Sequence, residues 1–134
     1  MYDFPKLKMY KFEIKTTKPK EVIDLTDKIN SLITKFQMKE GMCNIFVAHT
    51  TCALTTADLD PGTDEDLLEA IEKIFPSGNW RHPHDPTHVG EHIMSSLIGS
   101  SLLIPFDKGE LILGSWQRIV LVELSGPRVR RYLS

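Results

Sequence analysis

A chain of 134 residues and 15.3 kDa fits a single domain, taken as residues 1–134, that is long enough to bury a real core. Hydrophobic residues make up 41% and charged residues 25%, as in an ordinary globular protein. The net charge of −2 gives no global attraction to nucleic acid or to an anionic membrane, so any anion site must be local.

The opening "MYDFPKLKMYKF" carries charges where a secretory leader needs an apolar run. No later stretch approaches the roughly 18 apolar residues of a membrane span, and a cytoplasmic setting is expected. "MYKFEIK" (9–15) alternates Tyr10, Phe12 and Ile14 with Lys11, Glu13 and Lys15, the period of a half-buried strand. "EVIDL" (21–25) forms a second strand, and Thr26 is the expected N-cap of a helix. That helix carries Ile29, Leu32, Ile33 and Phe36 at helical spacing and stops by Gly41. "CNIFVAH" (43–49) is a third strand ending on His49, and "ALTTADL" (53–59) a fourth, closed by a "DPG" turn.

Thr63 caps a second helix whose first turn, Asp64, Glu65 and Asp66, suits the positive end of the helix dipole. Leu67, Leu68, Ile71, Ile74 and Phe75 form its expected buried face, and Pro76 ends it. Val89, Ile93 and Leu97 mark a third helix ending at Gly99. Strand-like "SLLIP" (101–105), "ELIL" (110–113), "QRIVLVEL" (117–124) and "RVRRYL" (128–133) follow, separated by turn signals. The order is ββαββααβββ, with the last segments counted as three or four strands. It favours an α+β sandwich with helices over a doubly wound parallel sheet.

"RHPHDPTHVGEH" (81–92) holds His82, His84, His88 and His92, four of the five histidines. A His-rich polar loop is one reading. The favoured one is a metal site, because neutral imidazole is the common nitrogen ligand of zinc. With His49 from a strand end, three ligands and an open fourth position would suit catalytic zinc. The spacing is not H-E-x-x-H. Asp58, Asp60, Asp85 and Glu91 lie nearby in sequence as orienting or acid–base groups. Turn chemistry around Pro61-Gly62 is the stronger reading for Asp58 and Asp60. For Glu91 a catalytic and an exposed helical role stand level. Cys43 and Cys52 show no C-x-x-C spacing and are read as packing residues. Ser95-Ser96 is a weak anion signal, and Trp116 is core before it is a pocket wall. Arg128, Arg130 and Arg131 are a solvated strand face or a local phosphate grip.

"HTTCALT" (49–55), "DP" (60–61), "WRH" (80–82), "EHIMSSLIGSSLLIPF" (91–106) and "GELILGSWQRIVLVEL" (109–124) occur in that order. Through them the sequence resembles the YjbQ family, whose members also carry the description secondary thiamine-phosphate synthase. The resemblance runs from about residue 8 to the C-terminus. It implies an α+β sandwich assembling as a homotrimer, with zinc or another divalent metal at His49, His82 and His92. It also implies weak formation of thiamine phosphate from hydroxymethylpyrimidine diphosphate and hydroxyethylthiazole phosphate. On that basis Asp58 or Glu91 would handle a proton, and Ser95, Trp116, Gln117 and Arg128 would meet a small phosphorylated metabolite. The alternative is a metal- or metabolite-binding trimer with incidental catalysis.

Three features depart from the family pattern. "LTTADLDP" lacks the usual Asn-Glu pair and one residue, with Asp58 in place of the glutamate, and Cys52 replaces a small residue. The segment between the motif histidines is long and contains His84 and His88, read as rim groups or a substitute ligand. The runs "IVLVEL" and "RVRRYL" suggest more strand edge than one small domain hides, which also points to assembly.

Overall fold

In a computed structural model describing residues 7–74 and 89–133, the chain begins β1 (Lys11–Lys15), β2 (Glu21–Asp24), α1 (Thr26–Lys35) and β3 (Gly41–Val47). It continues through β4 (Cys52–Ala57), α2 (Thr63–Ile74), α3 (Val89–Ile98) and β5 (Ser101–Asp107). It closes with β6 (Glu110–Leu111), β7 (Arg118–Glu123) and β8 (Val129–Leu133). The α+β architecture is as expected, and the last segments are four strands.

All pairings are antiparallel, in one sheet ordered β1-β8-β3-β5-β6 and another ordered β2-β7-β4. Side chains alternate across a strand, so β7 serves two cores. Ile119 and Leu121 join Phe12, Ile45, Leu54 and Tyr132 between the sheets, with Ile29 and Ile33 of α1 closing that side. Val120, Val122 and Leu124 face the other way, onto Ile71 of α2 and Met94 of α3. Burial on both faces explains the unbroken apolar run "IVLV".

The structure corrects four expectations. First, β7 and β8 are interior strands, flanked on both sides, so they offer no spare edge. Second, Thr26 is not the N-cap. Leu25 holds that position without a side-chain cap. The buried Thr26 hydroxyl instead accepts the Ile119 N–H at 2.8 Å, tying α1 to β7. Third, Ile71 is the buried residue of α2, Leu67 and Leu68 pack at its margin, and Ile74 is 67% exposed. Phe75 and Pro76 lie outside the described residues. Fourth, α3 buries Met94 and Ser95, while Leu97 is 68% exposed. The Ser95 hydroxyl donates to the Cys52 carbonyl at 2.6 Å, and that polar tie to β4 fixes the helix face.

Gly126 sits in the connection from β7 to β8. A Cβ there would overlap the Lys18 carbonyl oxygen and crowd the Thr16 hydroxyl. The bare backbone lets the chain turn tightly enough to bring Arg130 back beside Glu123. Among the described residues, no helix is long and apolar enough to cross a membrane.

Candidate functional site

β3 stops at Val47 because its ladder with β8 is interrupted just beyond it. The Val47 amide donates to the Ser100 carbonyl at 2.9 Å and the Ala48 amide to the Arg131 carbonyl at 3.2 Å. In a continuing ladder the Arg131 amide would return a bond to the carbonyl of residue 48. It donates instead to Nε2 of His49 at 2.9 Å. With Nε2 accepting, a neutral His49 ring carries its proton on Nδ1. Burial and then the Arg130 and Arg131 cations hold the His49 pKa below its ordinary value, despite an opposing pull from Glu123.

His92 lies on α3 with Nδ1 3.0 Å from the Thr50 carbonyl oxygen. A carbonyl can only accept, so Nδ1 donates and Nε2 is the lone-pair nitrogen of the neutral ring. Both imidazoles line one pocket of about 510 Å³ with Thr50, Ser95, Ser96, Gly99 and Ser100. A recess of about 460 Å³ between α1 and β3, lined by Ile29, Phe36, Met42 and Phe46 among others, is mainly apolar and lacks such convergent polar groups.

Behind the pocket the Arg130 side chain is fully buried against Glu123. Its Nε donates to Glu123 Oε2 at 2.7 Å, and its Nη2 donates to Oε1. The same Nη2 donates to the Thr51 carbonyl at 3.1 Å and the Thr51 hydroxyl at 2.8 Å. Burial alone would raise the Glu123 pKa. The Arg130 hydrogen bonds and the Ser125 amide outweigh it and hold the carboxyl below its usual range. Burial pushes the neighbouring Cys52 thiol up to about 11, which suits a packing residue and not a nucleophile. Cys43 and Cys52 are both buried, with no disulfide.

Of the predicted site residues, the structure brings His49, His92 and Ser95 together. His82, His84, His88 and Asp85 lie outside the described residues. The Asp58 carboxylate accepts the Asp60 amide at 2.9 Å, so it serves the turn, and it does not line the pocket. Glu91 is also absent from the lining, and among the described residues its buried Oε2 has no hydrogen-bond partner. Trp116 is 71% exposed, which overturns its core reading. Gln117 bonds the Gly114 amide and the Thr56 hydroxyl. The Arg128 guanidinium is held by the Ser125 carbonyl at 2.7 Å. Neither Gln117 nor Arg128 reaches the histidines within this chain. Sequence reasoning missed Thr50, Ser100 and the Glu123–Arg130 pair. Among the described residues no three His, Cys, Asp or Glu side chains form a metal-holding group.

A family model described as UPF0047 protein YjbQ-like matches residues 10–134. A UPF0047 protein of Archaeoglobus fulgidus is 36% identical over 121 residues, covering 90% of this chain and 94% of its own length. YugU of Bacillus subtilis is 34% identical, with 88% and 90% covered. The crystal structure of hypothetical protein APE1520 from Aeropyrum pernix superposes with a TM-score of 0.88 at 33% identity, over 96% of this chain and 97% of that one. A YbjQ-like protein of unknown function from Sulfolobus solfataricus gives 0.87, also at 33% identity, over 96% and 94%.

Proposed function

The chain belongs to the YjbQ-like UPF0047 family, and from that premise we propose that the His49–His92 pocket is the centre of a metal-dependent cytoplasmic enzyme for a small phosphorylated metabolite. The supporting observation is the convergence of two imidazoles, each with one ring nitrogen held by the backbone, and three serines on one recess of about 510 Å³.

Zinc or another divalent metal fits this donor set at His92. A ring whose Nδ1–H is held by a backbone carbonyl presents Nε2 in the way ligating imidazoles do. His82 and His49 are the proposed companions. His49 joins them only by exchanging its bond to the Arg131 amide, and as placed it offers Nδ1–H as a donor to an anion. When bound, the ion would neutralise charge on a departing phosphate group. The candidate reaction is thiamine phosphate formation. The thiazole nitrogen bonds the pyrimidine methylene carbon as the carbon–oxygen bond to pyrophosphate breaks. That step needs no proton from the protein, which suits a pocket lined by imidazoles and hydroxyls in place of carboxylates. Ser96 and Ser100 would hold phosphate oxygens, with positive potential from Arg130 and Arg131 behind them.

Titration calorimetry on chelator-treated protein tests the site. His92→Ala should weaken zinc binding at least roughly tenfold, in line with the cost of disturbing a metal's ligand shell. Equal zinc affinity in both proteins would remove the metal from this pocket. Assay with both thiamine precursors then separates enzyme from binder. Negligible turnover beside tight binding of another phosphorylated metabolite favours the second reading, a binding trimer.

We also propose a homotrimer. The outward side chains of Met42, Phe46 and Leu103 on the larger sheet are exposed apolar surface that assembly would cover. Trp116 and Gln117 would then approach the pocket from a neighbouring subunit. Light scattering at micromolar concentration should give three times the chain mass, and a monomer would overturn the assembly.

A further inference from the structure

Burying an arginine and a glutamate together costs desolvation that a well-packed apolar pair avoids, so such a pair is weak evidence for stability by itself. What this pair touches suggests another role. Arg130 Nη2 holds both the carbonyl and the hydroxyl of Thr51. Thr51 follows Thr50, whose carbonyl fixes His92, and it stands two residues from His49. Arg131, next to Arg130, supplies the amide that fixes His49. The Leu124 amide, next to Glu123, also donates to the Thr51 carbonyl at 3.1 Å. Each hydrogen bond that orients a pocket imidazole is therefore one residue away from a buried anchor of the pair.

We infer that Glu123 and Arg130 are positioning residues: they clamp the 48–51 turn against β8, so that Thr50 holds His92 and Arg131 holds His49, each with its proton on Nδ1. The pair itself touches no pocket ligand. It acts through two backbone groups, a carbonyl and an amide, whose directions it fixes from behind. The inference builds on the proposed function only in taking this pocket as the site.

Imidazole nitrogen correlation spectra of uniformly ¹⁵N-labelled, chelator-treated protein read the tautomers directly. They are recorded above the ordinary imidazole pKa range. Wild-type protein should show both His49 and His92 in the Nδ1–H form. The double variant Arg130→Met with Glu123→Leu removes both charges together and should lose the single-tautomer signature at both rings. Arg130→Lys can still pair with Glu123 and donate to Thr51, and it should keep that signature. An Nε2–H ring at His92 in wild type, or a folded double variant with both rings unchanged, would overturn the inference. Should the double variant not fold, Thr51→Val decides, because it removes only the hydroxyl that Arg130 holds. A shifted His92 signature is then expected, and an unchanged one overturns the inference. The readout uses neither zinc nor phosphate. Failed ligand binding alongside the expected tautomer response would therefore count against the proposed function alone.

Discussion

Arg130→Met alone is expected to destabilise the fold by about 3–5 kcal/mol, the usual cost of leaving one member of a buried ion pair without its partner. The Glu123 carboxylate would stay in the core with its Ser125 amide bond at 3.0 Å but without its cation. Against a typical total stability of roughly 5–15 kcal/mol, that loss brings the variant close to unfolding. Urea denaturation measures it. The Arg130→Met, Glu123→Leu double variant should recover most of the loss, since no charge is then stranded. A single variant as stable as wild type would mean that solvent reaches the pair. The pH dependence carries a definite sign. The folded Glu123 pKa lies below its unfolded value, so its contribution is present above the unfolded value and lost as pH falls through the folded one. The double variant should lack this part of the acid sensitivity.

Leu121→Ala is expected to cost about 2–5 kcal/mol, because it removes a fully buried side chain and leaves a cavity that β7 cannot collapse to fill. Leu121 pairs across with Ile23 of β2 and Leu54 of β4, at the centre of the core between the sheets. Neighbours on three sides hold the space open. Leu97→Ala, on a 68% exposed residue outside the proposed subunit contact, should stay within about 0.5 kcal/mol. Chemical denaturation of the two variants should differ clearly in midpoint. Similar midpoints would mean that β7 is not the shared wall between two cores.

Elements governed by local periodicity were legible in the sequence. The alternation through β1 and the apolar spacing of α1 follow from how a strand or a helix buries one face. Elements governed by a tertiary tie were not. Thr26 looks like a cap, yet its hydroxyl serves β7. α3 turns toward β4 because Ser95 bonds Cys52 there, whereas apolar spacing alone selects Leu97. At the site, His49 and His92 were legible from residue type and context. The pair behind them left only a faint trace, which is parity. Arg130 shares the inward parity of Tyr132, and Glu123 that of Ile119 and Leu121. A charge at a core parity on each of two strands joined by a tight turn is a readable sign of a buried pair. Single-strand reading took the arginines together as a surface cluster. Asp58 was legible as a turn residue, because an Asp at the head of a turn can accept the amide two residues on and needs no tertiary partner.

β7 gives the two halves of the pocket a common origin. Through Val120 and Val122 it seats α3, which carries His92. Through Glu123 it holds Arg130 and so the turn that carries His49. Both imidazoles are therefore expected to follow the same strand, so that a displacement of one is shared by the other. Their separation should then change less than either position does when the sandwich flexes. Slippage of α3 along β4 would still alter it, and the Ser95–Cys52 and His92–Thr50 bonds, three residues apart on one face of the helix, oppose that slippage.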